Sequence, residues 1–337
     1  MKKIISLPAH LAIIALAIAL KGCSLLTPLP DTVEQELENA LDRGFDGIIV
    51  YVEQSGESSL YSAGWKNREN GVPADPHDLF KIASISKLYI AVAAAQMIHD
   101  KRLPLDRALA EYIPGLVGRI EHAEEITLRM MLKHRSGIPN FTDMPDYPWS
   151  NPPKDNREIL KLVLDRPADF EPNQKYQYSN TNYLLIGEIM DSTLGYSHHQ
   201  YIKANILNPL GLNHTYSLLG EVDLDAVMSG YHVGYEHDIK YNDFIQPGGS
   251  MVATAEEVGI FLRALIDGSL LDEDEQAIYT SLYKYEHTGL LPGYQSIAKY
   301  NPDLDAVIVQ FVNTSGPNMW MKSETVYRRI VRILKKQ

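Results

Sequence analysis

Cysteine is almost missing from this chain: Cys23 is the only one in 337 residues. That excludes a disulfide within the monomer, a cysteine-built zinc site and thiol catalysis deeper in the chain. Long hydrophobic runs are missing too. The longest, Leu11–Leu20, has ten residues, about half of what a membrane-spanning helix needs. Positive charge is scarce, with 31 Lys and Arg against 43 Asp and Glu and a formal net charge of −12. Such a balance excludes nucleic-acid or anionic-membrane binding through bulk charge. Several motifs are absent as well: G-x-S-x-G, H-E-x-x-H, G-x-x-x-x-G-K and G-x-G-x-x-G. The eleven histidines are scattered. His198 and His199 are adjacent and read as surface residues, so no metal and no cofactor is expected. Phenylalanine is rare (7) beside tyrosine (20). Wet aromatic surfaces and a half-exposed core account for that equally well.

What is present begins with Lys2 and Lys3 before the short apolar run, the pattern of an export signal over residues 1–22. Leu20-Lys21-Gly22-Cys23 resembles a bacterial lipobox, with Lys21 departing from the usual small or apolar residue. Cys23 would then be lipidated. By analogy, Ser24 after it would direct the protein to an outer membrane, facing the periplasm. Cleavage there would remove three lysines and no acid, leaving the mature chain more acidic still.

The rest, 23–337, reads as one catalytic unit. Helical spacing and caps predict helices over Asp31–Leu41 (Asp31 as N-cap, Glu34 in a capping box), from Ser84 to about Asp100, and over Thr127–His134, Asn156–Asp165, Thr181–Met190 and Tyr201–Leu207. Two more follow over Thr254–Ile266, with Thr254 and Glu257 as capping box, and over Met319–Lys336. The helix after Ser84 carries no charge from Leu88 to His99, so it should be buried all round. Ile48–Val52 and Leu60–Trp65 predict a hairpin about Ser55-Gly56. Gly293–Tyr300 and Ala306–Asn313 predict strands. Strands at both ends and helices between them imply an α+β fold. Its α/β part would come from about 31–104 and 245–337, with a helical part over about 105–244. Gly137–Lys154 holds five prolines with Phe141, Tyr147 and Trp149, a long loop of the kind that lines sites. With Tyr231, Tyr235 and Tyr241, it is the candidate for shaping a pocket.

Three short motifs carry chemistry. S-x-x-K occurs at Ser84/Lys87, Ser281/Lys284 and Ser296/Lys299, but only the first opens the buried helix. A helix N-terminus favours a developing oxyanion. Residues three apart share a face, so Lys87 can reach Ser84, and burial lets a lysine accept a proton. Alone, the motif would be a serine cap beside a surface lysine. Tyr178-Ser179-Asn180 offers a tyrosine near two cations that could ionise or relay a proton as general base, and an amide for a substrate. It also serves as a turn capped by Asn180. His287-Thr288-Gly289 offers an imidazole, a hydroxyl and a glycine that admits a substrate backbone, or it is a plain turn.

In the order Ser84, Tyr178, His287, these motifs resemble the S-x-x-K, Y-x-N and K/H-T-G set of class C β-lactamases, D-alanyl-D-alanine carboxypeptidases and related esterases. Leu128–Phe141, Tyr176–Glu188, Ile206–Thr215 and Gly248–Ala264 extend the resemblance over most of residues 46–316. The resemblance implies a β-lactamase/D,D-peptidase fold, with an antiparallel sheet flanked by helices plus a helical domain. It implies a Ser84 acyl-enzyme, proton transfer by Lys87 and Tyr178, and a substrate amide held at Asn180. The oxyanion hole would be the N–H groups of Ser84 and Leu290, with His287, Thr288 and Gly289 along the substrate. Substrates would be small peptides, esters or β-lactams, with peptidoglycan as a further partner and the membrane reached only through the lipid. The β-lactamases usually carry lysine where His287 stands, which turns the expectation toward peptidase, amidase or esterase chemistry. A non-catalytic binding lipoprotein is the reading from another class.

Overall fold

A computed structural model describes residues 28–337. The export signal expected over residues 1–22, and Cys23, lie outside the described residues.

The strands in chain order are β1 (Gly47–Gln54), β2 (Glu57–Asn67), β3 (Val72–Pro73), β4 (Phe80–Lys81), β5 (Thr215–Tyr216), β6 (Tyr231–His232), β7 (Val252–Ala253), β8 (Glu286–Leu291), β9 (Tyr294–Asn301), β10 (Ala306–Val312) and β11 (Thr314–Ser315). Six of them form an antiparallel sheet in the order β3-β2-β1-β10-β9-β8. The hairpin turns at Ser55-Gly56, both with positive φ. β1 and β10 are the two central strands, and their apolar runs have both faces covered.

Alternation assigns each face. Ile48, Val50, Val52, Ile308 and Val312 point to one side, where the helices Val33–Leu41 and Met319–Leu334 cover them. Ile49, Tyr51, Val307, Val309 and Phe311 point to the other, into the larger core built on the helices Ser86–His99 and Ala255–Asp267. Gly259 makes the second contact possible: a Cβ there would lie 2.1 Å from the Tyr51 ring. The helix Ser86–His99 is buried along almost its whole length, as its missing charges require.

Local details differ from the expectation. The first helix is capped by Thr32, whose hydroxyl accepts from the Gln35 N–H, and not by Asp31. Thr254 does cap its helix through the Glu257 N–H, but Glu257 does not reach back. Its carboxylate is buried and accepts from the His214 N–H and the Thr215 hydroxyl instead, a stronger use of a buried charge. His198 is buried, not at the surface. Its Nδ1 lies 2.7 Å from Asp191 and its ring 4.0 Å from that of half-buried His199, because the short helix His198–Ile202 packs back on Asn180–Leu194. Tyr231 is also interior, accepting from the Arg68 N–H with the Arg68 guanidinium over its ring. The helix predicted over Tyr201–Leu207 begins at His198 and passes into a π-helical turn at Lys203–Leu207.

Candidate active site

Ser84 lies in a 3₁₀ turn, Ala83–Ile85, that runs into the helix Ser86–His99. Ala83 just before it has φ +51°, a conformation alanine rarely adopts. Several bonds hold the turn. The Ile82 N–H donates to Met251 O, and the Ser296 hydroxyl donates to Ile82 O. The Ser86 hydroxyl donates to Ala83 O and accepts from the Met251 N–H. Gly289 on β8 completes the cradle. A Cβ there would come within 2.4 Å of Ile82 O and 2.9 Å of the Ala83 methyl. The glycine therefore makes room for the nucleophile turn; the expected role, room for a substrate backbone, is not what its neighbours require.

Lys87 is fully buried. Its Nζ donates to Gly248 O (2.6 Å) and Asn180 Oδ1 (2.8 Å) and lies 3.2 Å from Ser84 Oγ. Desolvation lowers its pKa to about 7. The Tyr178 hydroxyl donates to Ser84 Oγ at 2.9 Å. Burial pushes its pKa up, so of the two roles the sequence offered, ionising or relaying a proton, Tyr178 is held in the phenol form that relays. Its ring is stacked on His134 (centroids 4.5 Å apart), whose Nδ1 accepts from the Ser179 N–H. His134 is neutral, because burial and then Lys87 lower its pKa to about 3.

Asn180 opens the helix Asn180–Leu194, and its oxygen is spent on Lys87. Its Nδ2 faces Asn140 Oδ1 and Thr142 Oγ1. Asn140, Thr142, His134 and Gly248 were not singled out in the sequence. The first two sit in the proline-rich loop, and Asn140 also lies in the Leu128–Phe141 stretch that carries the resemblance. His287 and Thr288 lie on β8, the sheet edge, opposite Ala298 and Ile297. The His287 ring stacks on Tyr283 (5.9 Å, 6°), and desolvation and then Lys87 hold its pKa well below the usual value. Ser84, Tyr178, Asn180, His287, Thr288 and Leu290 all line one cavity of about 550 Å³. Trp149, Gln246 and Trp320 form further walls. Among the described residues, the one group with metal-ligand spacing is His99, Asp272 and Glu275, none of which lines this cavity. Asp272 and Glu275 already cap the helix Glu273–Leu282.

The beta-lactamase family profile matches residues 29–284. The chain belongs to the beta-lactamase family. It is 25% identical over 206 residues to a penicillin-binding protein of Bacillus subtilis (strain 168), covering 60% of this chain and 44% of that one. It is 29% identical over 177 residues to a putative D-alanyl-D-alanine carboxypeptidase of Escherichia coli (strain K12), covering 50% of this chain and 41% of that one. The matched regions thus span less than half the length of these relatives. In structure it is similar to the D-amino acid amidase from Ochrobactrum anthropi SV3 (24% identity, TM-score 0.78, covering 90% of this chain and 96% of that one). That likeness carries the β-lactamase/D,D-peptidase fold expected above, helices around an antiparallel sheet.

Proposed function

We propose that the protein is a serine hydrolase that forms an acyl-enzyme on Ser84, acting on D-Ala-D-Ala-type peptides or related amides and esters in the cell envelope. The geometry around Lys87 carries this reading. A neutral lysine has two N–H hydrogens and one lone pair. Gly248 O accepts one hydrogen, and Asn180 Oδ1 accepts the other. The lone pair is left for Ser84 Oγ, the third neighbour. Ser84 attacks the substrate carbonyl as its proton passes to Lys87. Tyr178, also bonded to Ser84 Oγ, relays that proton to the departing amine or alcohol. The N–H groups of Ser84 and Leu290 stabilise the oxyanion. Water then attacks the ester by the reverse path and frees Ser84.

The names of the relatives, a carboxypeptidase and a penicillin-binding protein, support amide chemistry at a D-amino acid. His287 favours a second reading, a carboxylesterase or weak β-lactamase. Held neutral, it offers no fixed charge to the carboxylate of a β-lactam. The intact dyad of Ser84 and Lys87 argues against a non-catalytic binding lipoprotein. Export and a lipid on Cys23 would place the site at the envelope.

The test is the intact mass of residues 24–337 after treatment with a penicillin and, separately, a fluorophosphonate, beside Ser84→Ala. A lasting penicilloyl adduct on Ser84 supports a peptidase. A fluorophosphonate adduct alone supports an esterase or amidase. No adduct from either sinks the nucleophile.

A further inference from the structure

The cleft at Ser84 does not end at Leu290. A second cavity, of about 360 Å³, opens beyond it. The two share Trp149, Leu290, Leu291 and Trp320, so they form one trench. Tyr235, Pro292 and Gly316 extend the wall with the polar groups His232, Gln295 and Ser315, and no Lys, Arg, Asp or Glu lines the added part. The opposite end is different. Past Tyr178 and His287, a third cavity is lined by Lys133, Lys284, Lys299 and Glu286. The site is thus charged at one end and apolar at the other.

The apolar end is also exposed. Leu290 is 56% exposed and Tyr235 44%, and the two line one cavity instead of standing singly on the surface. Its back wall is fixed in advance. Trp149 packs edge-on against the buried Tyr147 ring (4.7 Å) and near Phe244 (6.1 Å). A rigid aromatic wall takes an apolar group at little ordering cost. An apolar cavity of about 150 Å³ already admits benzene, so the added volume is ample for a phenyl ring.

Proton transfer decides which part of the substrate goes where. As the carbonyl bond to nitrogen or oxygen breaks, the departing atom takes a proton. The donor to the departing atom, Tyr178, lines the cavity at the lysine end, and its ring lies 6.2 Å from that of His287. The leaving group therefore lies toward the lysines, and the acyl group that stays on Ser84 lies toward Leu290. We infer that the trench between Trp149 and Trp320 is a subsite for an uncharged, apolar acyl group, aromatic or branched aliphatic. This inference rests on the Ser84 hydrolase reading.

The experiment holds the leaving group constant and varies the acyl group. The p-nitrophenyl esters of acetate, phenylacetate and succinate are compared by kcat/KM on the native chain, Trp320→Ala and Tyr235→Ser. The expected order is phenylacetate over acetate by about tenfold or more, with succinate slowest. The phenylacetate-to-acetate ratio should fall several-fold in both variants. Tyr235 is exposed, so Tyr235→Ser gives the answer if Trp320→Ala does not fold. A native ratio near one, or a ratio unmoved in the folded variants, overturns the subsite while fluorophosphonate labelling of Ser84 upholds the hydrolase. Failure of that labelling removes both.

Discussion

Replacing Lys87 by methionine should stabilise the protein relative to the native chain most at low pH, and progressively less as pH rises. The native lysine is buried without a carboxylate partner, and desolvation lowers its pKa to about 7. An unfolded lysine titrates near 10.4. Between these values the unfolded chain holds a proton that the folded chain has released. Unfolding then takes up a proton, so native stability rises with pH. One pKa unit corresponds to about 1.4 kcal/mol. Allowing for half-titration at the lower end, the native protein should gain about 2 kcal/mol on Lys87→Met from pH 7 to pH 9. For a chain of this size that is a relative Tm shift of roughly 3 °C. Methionine also leaves Gly248 O and Asn180 Oδ1 without their donor, a cost that does not vary with pH over this range. Lys81 and Lys240, also buried, are common to both proteins. The assay is urea unfolding of both proteins at several pH values. The same pKa requires kcat/KM of the native enzyme to rise with pH through about 7, since only neutral Lys87 accepts the Ser84 proton. Parallel stability curves would show that Lys87 stays protonated, and its role as base would fall with that result.

Four further outcomes are expected. Tyr178→Phe removes the hydroxyl on Ser84 but keeps the ring on His134, so kcat should drop about 10²–10⁴-fold with unchanged thermal unfolding; a kcat within threefold of native rejects the relay. Gly289→Ala pushes a methyl into Ile82 O and Ala83, so it should cost about 1–3 kcal/mol and displace Ser84; native stability together with native fluorophosphonate labelling would refute the cradle. Lys81 Nζ donates to Lys240 O and Asn242 O from the segment leading to Gly248. Lys81→Met should therefore sharpen proteolysis within residues 233–246, and an unchanged digest would count against that anchor. Glu36 is buried against Arg43 and Arg329, so Glu36→Ala should lose about 3–5 kcal/mol, measured by denaturant unfolding; a loss below 1 kcal/mol contradicts it.

The parts of the site legible in the sequence are those whose chemistry is local. Ser84 and Lys87 are one helical turn apart, and the uncharged stretch after them marks their helix as buried. The two central strands were legible because their apolar runs are long. Gly248 O was not, because its bond to Lys87 spans 161 positions and a carbonyl carries no residue signature. Asn140 and Thr142 were hidden for the same reason, in a loop whose course is set by what it packs on. Tyr178 was found, but whether it ionises or relays a proton stayed open, since its burial is a property of the fold. His198 and His199 were misplaced because adjacency says nothing of where a short helix docks. Glu257 fitted a capping box by spacing, and a tertiary partner took its carboxylate.

The central pairing of β1 with β10 has a consequence for how the chain becomes a protein. Beside that pair, Asp46 and Thr314 are bonded across 268 positions. Closing so long a loop costs about 5 kcal/mol of chain entropy, and no local contact offsets it early. β1 pairs locally with β2, but its other side can find β10 only after the ribosome has passed residue 312. Until then its apolar run is an unpaired edge, open to aggregation or to a chaperone. Folding should therefore be slow and late, and the active site, which needs β8 and β9 from the same end of the chain, should form only after both ends have met.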